Sequence, residues 1–309
     1  LAAGWERAGV LAALAAAREQ GADALFAEAS APSERAWPGY TGRLAEGEGS
    51  AEFTPAAPTD LPAPVPANSP ESEPEALEFW NGYGGFANGG REYVVKLVPG
   101  PGGVLARPPQ PWVNVLANES FGCLLSETGA GTTWSLNSRE RRLTPWANDA
   151  QLDPHGEALW LRDDESGACF SPLPGPTPAH ATYEMRHGFG TSVCRVAAGG
   201  LEVETETFVL AHEPLKVTRV RVRNVSGVTR KLSLVAYQRL VLGALPGEPG
   251  SSPVTRKIRT WRDARGGALC AQDPADPRWH SRVTFAALLA GEGAKPRVGT
   301  PPAFTCDRA

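Results

Sequence analysis

The sequence predicts an all-β protein, a large antiparallel β-sandwich over residues 77–309. Three observations lead to this prediction. Apolar and polar residues alternate in short segments, Gly, Pro and Ser-Gly turn signals separate those segments, and no helical period of ordinary length follows Leu77. Many short alternating segments with regularly spaced turns are typical of sandwiches.

The first 30 residues are predicted to form a short helical connector instead. The segment from Trp5 to Ala29 is rich in Ala, Leu, Glu and Arg, which are strong helix formers, and its apolar residues recur near helical spacing. Because Gly21 interrupts this pattern, we expect one or two short helices that pack on a neighbouring element.

Residues 31–76 are predicted to be a Pro-rich linker. Pro recurs throughout this stretch among Ser, Glu, Gly and Thr. Such a composition buries too little apolar surface to offset the entropy of the chain. The composition changes sharply at Leu77, which marks the predicted start of the sandwich.

From Leu77 onward the strand pattern is repeated. GREYVVKLVPG, WVNVLAN and GCLLSETG are short and apolar, and LKVTRVRVRN alternates almost without interruption, which predicts one buried and one wet face. The turn residues in DDESG and NVSGVTR predict two hairpins. The segments RTWRDARGGALCAQ and WHSRVTFAALLAGEG are expected to continue the sandwich.

Composition argues against several classes of partner. The 30 basic and 34 acidic side chains give a formal charge of -4, which favours neither nucleic acid nor an anionic membrane. Five widely spaced Cys without a CxxC pair favour a reducing compartment.

No apolar run approaches the roughly 18 residues of a membrane span. Since Leu is the first residue and no signal peptide follows, we expect a fragment of a longer protein.

The usual catalytic motifs are missing from the sequence. The five His lack metal-ligand spacing, no GxSxG elbow occurs, and the glycine-rich GYGGFANGG lacks the Gly-Lys-Ser/Thr ending of a phosphate loop. Neither a metal nor a cofactor is therefore predicted. Paired carboxylates would suit glycoside chemistry, and the acidic residues near the centre of the chain are Asp149, Asp153, Glu157, Asp163 and Asp164. Asp163 and Asp164 are expected to be solvated turn residues.

The stretch from Thr128 to Leu161 has the composition of a binding loop. It combines Trp, Arg, Asn, Asp and His between Gly and Pro residues, which neither a buried strand nor an amphipathic helix needs. Planar donors and acceptors suit sugar hydroxyls, and an aromatic face suits the apolar side of a pyranose. Trp134 and Trp146, flanked by polar residues, are the stacking candidates; the alternative is that some of these Trp fill the core.

Several segments closely resemble the amino-terminal sandwich of glycoside hydrolase family 94. The resemblance rests on FWNGYGGFANGGREYVV, on PWVNVLANESFGCLLSETGAGTTWSLNSRERRLTPWANDAQLDPHGEALWLRDDESG, on YEMRHGFG and on LSLVAYQRLVLG. It covers about residues 77–243 and thins towards residue 309. The branch of cyclic β-1,2-glucan synthases is the most similar, and cellobiose and chitobiose phosphorylases belong to the same family. GTTW and QLDPHG depart from the commoner GYTW and VSDPPG, which affects the expected shape of the loop.

The resemblance implies a β-supersandwich of the galactose mutarotase-like type, whose loops border the active site, in dimeric members that of the neighbouring subunit. In the family this domain precedes an (α/α)6 barrel, which holds the general-acid Asp and most phosphate-binding groups and has no counterpart in this sequence. The family reaction is inverting phosphorolysis, with inorganic phosphate as co-substrate. The implied location is cytoplasmic, or at a membrane through other parts of a longer polypeptide. The positions that the resemblance carries over as substrate contacts are Asn137, Arg139, Arg142, Trp146, Asn148 and Asp149.

Two functions from different classes follow. The first is a carbohydrate-binding domain that borders the active site of a β-glucan-processing enzyme and is catalytically incomplete alone. Its expected partners are a β-linked glucan, the absent barrel of the same polypeptide and a second copy in a homodimer. The second is a structural scaffold between domains or subunits of a cellobiose- or chitobiose-phosphorylase-like enzyme, without sugar affinity. An independent lectin-like module is a third alternative.

Overall fold

The computed structural model describes residues 24–32, 76–146, 149, 152–244, 258–262, 268–274 and 282–290. Within these ranges sixteen strands form three antiparallel sheets, and helical structure is limited to 3-10 turns at Asn88–Gly90 and Pro101–Gly103. The all-β sandwich predicted from the alternation is therefore confirmed. None of the described helices is long and apolar enough to span a membrane.

The strands are numbered in chain order. They are β1 Ala24–Pro32, β2 Gly84–Ala87, β3 Glu92–Leu97, β4 Val113–Ala117, β5 Phe121–Ser126, β6 Gly131–Ser135, β7 Glu157–Asp163, β8 Cys169–Phe170, β9 Tyr183–Gly188, β10 Thr191–Ala198, β11 Leu201–Val209, β12 Leu215–Asn224, β13 Leu232–Gln238, β14 Arg259–Arg262, β15 Ala268–Gln272 and β16 Arg282–Ala290.

One large sheet and two small sheets share a core. The large sheet has the strand order β14-β15-β16-β1-β12-β11-β10-β9-β3-β2, and the small sheets are β13-β7-β8 and β4-β5-β6. The main apolar cluster combines Tyr183 and Met185 of the large sheet with Leu125 of β5 and Leu161 of β7. Both small sheets therefore contribute to one core with the large sheet, and they carry the two ends of the polar stretch.

The first strand corrects the prediction of a helix in this part of the chain. Ala24–Pro32 is a strand, paired in antiparallel register with both β12 and β16, so the helical connector and the linker boundary at residue 31 are wrong over these nine residues. The helix propensity of Ala, Leu and Glu is only a few tenths of a kcal/mol per residue. Backbone pairing on both sides outweighs it. The rest of the predicted connector and linker, up to residue 75, lies outside the described residues.

One of the two predicted hairpins is correct. The DDESG turn joins β7 to β8, which pair through Leu161 and Phe170. In contrast, NVSGVTR forms a tight turn, with Gly227 at a φ of 75°, but β12 and β13 belong to different sheets. The turn residues therefore reverse the chain without pairing the strands that flank it.

Some charged residues that the sequence pattern predicts to be solvated are buried in the structure. β12 was expected to have one wet face, yet Leu215 through Val220 are all buried, including Arg219, whose guanidinium pairs with Glu206 on β11. Asp163 is buried rather than solvated, since it accepts the Glu165 and Ser166 amides and pairs with Arg230 at 3.2 Å. A buried charge needs such partners.

The cysteines that the structure describes are free thiols, three of them buried, at positions 123, 194 and 270, and one half-buried, at position 169. The predicted glycine-rich loop is in part a strand. Gly84 and Gly85 belong to β2, where an added Cβ would lie 2.5 Å and 2.7 Å from the backbone oxygens of Val94 and Glu78. These two glycines permit a close approach between chain segments rather than a phosphate cradle.

Candidate functional site

The polar stretch begins on one small sheet and ends on the other. Its first part contains β6, its last part is the start of β7, and the segment between them forms two turns. Leu143 links this segment to the chain that follows β13, because its carbonyl accepts the Val241 amide at 2.8 Å. Both turns are thus anchored at their ends to regular structure.

The first turn, residues 136–141, carries two of the predicted site residues. The side-chain oxygen of Asn137 accepts the amides of Arg139 and Glu140, both at 2.9 Å. The Asn137 carbonyl accepts the Arg141 amide at 3.0 Å, and Leu136 adopts a φ of 64°. The oxygen of the Asn137 side chain therefore holds the turn together, while the exposed Arg139 side chain lies on the solvent side.

Trp134 and Arg142 lie side by side at the base of this turn. They form an isolated antiparallel bridge, and the Arg142 Nε donates to the Ser138 carbonyl at 3.0 Å. Arg142 is buried, so its guanidinium is directed back into the turn. The half-buried Trp134 ring covers Gly122, where an added Cβ would lie 2.5 Å from it. Trp134 is therefore positioned by a close contact that only glycine permits.

Two hydrogen bonds of Asp149 close the second turn. Asp149 accepts the Leu152 amide at 2.9 Å through its Oδ1, and its carbonyl accepts the Asp153 amide at 3.0 Å. Trp146 is half-buried, and Asn148 lies outside the described residues. The structure thus places Asn137 and Arg139 in the first turn, Trp134 and Arg142 at its base, and Asp149 in the second turn.

A cavity of about 300 Å³ opens beside the second turn. Its lining combines carboxyl, hydroxyl and guanidinium groups with three prolines. The lining residues are Arg107, Pro108, Pro109, Pro111, Glu127, Thr128 and Asp153. The volume is at the lower end of the range for small-molecule sites.

Glu127 is the most perturbed acid in this cavity. It follows β5, is buried, and its Oε2 accepts the Trp112 amide at 2.7 Å. Burial raises the pKa of its carboxyl from 4.5 to about 7, although the Trp112 hydrogen bond lowers it. Glu127 is therefore divided between its neutral and ionised forms near neutral pH.

Asp153, which lines the same cavity but follows Glu127 by 26 positions in the sequence, is held rigidly. Its Oδ2 accepts the hydroxyls of Ser126 at 2.7 Å and Thr128 at 2.5 Å, and its backbone adopts a φ of 40°. A non-glycine residue in this region is strained, and such strain persists only where the surroundings impose it. Nearby, burial lowers the pKa of His155 to about 4. His155 is therefore a neutral neighbour of the carboxylate.

A buried ion pair fixes the far end of the stretch. Glu157, at the start of β7, pairs with Lys216 of β12 and accepts the hydroxyls of Thr133 at 2.6 Å and Thr144 at 2.5 Å. Burial alone would raise the pKa of Glu157, but Lys216 and these hydrogen bonds hold it below its ordinary value. The network joins all three sheets at the point where the two turns meet regular structure.

The sequence interpretation missed Arg107 and Glu127. Arg107 lies in a Pro-rich loop, and Glu127 stands at the end of a strand-like segment where a solvated residue is usual. The available signal was the acidic residue in GCLLSETG, directly before the polar stretch. Asp153 was named among the nearby carboxylates, but its partners could not be. Among the described residues, no group of three His, Cys, Asp or Glu could hold a metal ion.

Comparison with known proteins gives matches over most of the chain. The family model described as glycosyl hydrolase 94, supersandwich domain, matches residues 91–309. The chain is 44% identical over 168 residues to the cyclic beta-(1,2)-glucan synthase NdvB of Rhizobium meliloti (strain 1021), a match that covers 54% of this chain and 6% of that protein. It is 31% identical over 160 residues to the N,N'-diacetylchitobiose phosphorylase of Vibrio furnissii, covering 50% of this chain and 19% of the relative.

A further relative is the 3-O-beta-D-glucopyranosyl-beta-D-glucuronide phosphorylase of Paenibacillus borealis. It is 28% identical over 166 residues, which are 53% of this chain and 19% of that protein. The chain thus spans less than a fifth of the length of each of these three relatives.

Proposed function

The chain belongs to the glycosyl hydrolase 94 family, as its supersandwich domain, and from this we propose that it is a carbohydrate-binding domain that borders the active site of a larger β-glucan-processing enzyme. The names of the relatives support a β-linked glucan or oligosaccharide as its ligand. The general acid and the site for the co-substrate, inorganic phosphate, are proposed to belong to an (α/α)6 barrel in the same polypeptide. A cytoplasmic homodimer is the proposed assembly.

The observation that carries this proposal is the first turn. Its backbone is held by the Asn137 hydrogen bonds, so the exposed Arg139 extends from a rigid support. The half-buried Trp134 lies at the base of the same turn, bridged to Arg142, and offers an apolar ring there. A rigid turn costs less entropy on binding than a mobile loop, and the pairing of a donor with an aromatic ring suits a sugar.

The proposal is tested by kinetics of Arg139→Ala and Trp146→Ala in the full-length protein. Loss of one charge-assisted hydrogen bond costs roughly 1.5–3 kcal/mol, so the KM for a β-1,2-glucan is expected to rise about tenfold or more for Arg139→Ala. Arg223→Ala is the matched control, because Arg223 is an exposed arginine on β12. Its KM is expected to equal that of the unmodified protein.

The scaffold function is the second candidate, and one observation favours it. Val113 and Val115 of β4 are 42% and 57% exposed, on the same face of the small sheet as Trp134. Exposed apolar side chains on one sheet face suit contact with another domain. If KM for glucan is unchanged in both Arg139→Ala and Trp146→Ala, the binding role is wrong and the scaffold function replaces it.

A further inference from the structure

The cavity beside the second turn is separate from the exposed groups of the first turn. Asp153, Thr128 and Glu127 form its polar side and are buried. Pro108, Pro109 and Pro111 belong to the loop before β4 that forms its other side. The lining therefore combines hydrogen-bonding groups with apolar rings.

The polar side is organised before any ligand arrives. Within the described residues, both side-chain hydrogen bonds of Asp153 go to Oδ2, from Ser126 and Thr128. The second carboxylate oxygen is therefore available as an acceptor. Glu127 is held against the Trp112 amide. Fixed acceptors of this kind favour a ligand with several hydroxyl groups, because little side-chain entropy is lost on binding.

The charges of the cavity exclude two other ligand classes. A phosphate would meet two carboxyl groups against the single guanidinium of Arg107, and like charges at short range are unfavourable. A divalent metal ion would require a set of acidic or imidazole ligands, which the described residues do not provide. A neutral ligand with one apolar face fits the lining best.

We propose that this cavity binds a single neutral pyranose unit, with hydroxyls bonded to Asp153, Glu127 and Arg107 and with its apolar face on the prolines. The inference rests on the proposed function in that the unit belongs to the same glucan. It goes further by assigning a site to residues outside the two predicted turns. Protonated Glu127 donates a hydrogen bond to the sugar, since burial raises the pKa of its carboxyl to about 7.

The test titrates the full-length protein with methyl β-D-glucopyranoside, followed by NMR. Pro109 is exposed at the cavity mouth, so Pro109→Trp fills the cavity without disturbing the core and is expected to weaken binding at least tenfold. Gln110→Trp is the matched control, because Gln110 is exposed in the same loop but does not line the cavity. It is expected to bind as the unmodified protein does.

A pH series gives a second readout. Affinity is expected to fall between pH 6 and pH 8 as Glu127 loses its proton, and Glu127→Gln, which stays neutral, is expected to remove this dependence. The inference is overturned if the glucoside does not bind at millimolar concentration, if Pro109→Trp binds it normally, or if Gln110→Trp weakens binding equally. Failure of the proposed function is distinct, since it shows as an unchanged KM for glucan in Arg139→Ala and Trp146→Ala.

Discussion

Replacement of Lys216 by methionine tests the ion pair that anchors the polar stretch. Lys216 is 5% exposed, and its ammonium group contacts the Glu157 carboxylate and, at 3.0 Å, the Thr133 hydroxyl. Methionine keeps much of the volume and removes the charge. Among the described residues, the Glu157 carboxylate then keeps the Thr133 and Thr144 hydroxyls as its hydrogen-bond partners while it stays buried.

The expected loss of stability is large at neutral pH. Removing one partner of a buried pair typically costs about 3–5 kcal/mol, because the other charge is left uncompensated. In the unmodified protein the pKa of Glu157 is lowered, so the stabilisation it provides is present above pH 4.5 and lost as pH falls through the folded-state pKa. In Lys216→Met burial raises that pKa, so the variant instead loses stability as pH rises. The difference between the two proteins is therefore larger at pH 7 than at pH 5.

Urea unfolding followed by tryptophan fluorescence measures both effects, at pH 5 and pH 7. The matched control is Arg223→Met, which breaks an exposed pair with Glu202 at 2.9 Å and is expected to cost less than about 1 kcal/mol. The double variant Lys216→Met/Glu157→Gln is expected to be clearly more stable than the sum of the two single losses. A loss below about 1 kcal/mol for Lys216→Met, or strict additivity in the cycle, would refute the reasoning.

Three further predictions concern stability. For Glu127 the raised pKa of about 7 means that the contribution of this carboxyl to stability falls by roughly 3 kcal/mol between pH 4.5 and pH 8, so the stability difference between the unmodified protein and Glu127→Gln in urea unfolding is expected to change by that amount over this range. Gly122→Ala is expected to cost about 1–3 kcal/mol and to change the near-UV circular dichroism, because the added methyl group displaces the Trp134 ring. Asn118→Ala is expected to cost about 2 kcal/mol or more in thermal unfolding, since the Asn118 amide donates to two carbonyls at 2.7 Å and 2.8 Å and its oxygen accepts two amides.

Each of these has an outcome that contradicts it. A Glu127→Gln variant with an unchanged pH slope would mean that another group titrates. An unchanged near-UV spectrum in Gly122→Ala would mean that the ring does not cover the glycine. Full stability of Asn118→Ala would mean that water replaces its bonds without cost.

Local sequence patterns predict a turn correctly where the hydrogen bonds that hold it lie within a few residues of each other. The DDESG turn is correct because Asp163 bonds the amides two and three positions ahead of it, which is a short-range interaction. The NVSGVTR turn also forms through Asn224, which accepts the Ser226 amide at 3.0 Å. The strands that flank this turn do not pair with each other, because β12 pairs with β11 and β13 pairs with β7.

In the candidate site, too, the sequence predicts the types of residue but not the contacts between them. The residue types of the polar stretch predict hydrogen bonding to a hydroxylated ligand, and this stays a prediction; the structure shows that Arg139 is exposed in its turn. The buried guanidinium of Arg142 and the internal use of the Asn137 oxygen were not predictable, since both depend on how the turn closes. The cavity could not be predicted because Arg107, Glu127 and Asp153 are far apart in sequence.

The sequence by itself determined that the chain is built of short antiparallel strands, because alternation and turn residues act within a few positions. It also determined which stretch is rich in polar and aromatic groups. Only the tertiary structure decided that Ala24–Pro32 is inserted between β12 and β16, and that carboxyl groups from two loops share one cavity. The reason is that backbone pairing and burial join distant segments, and their free energy exceeds local propensity.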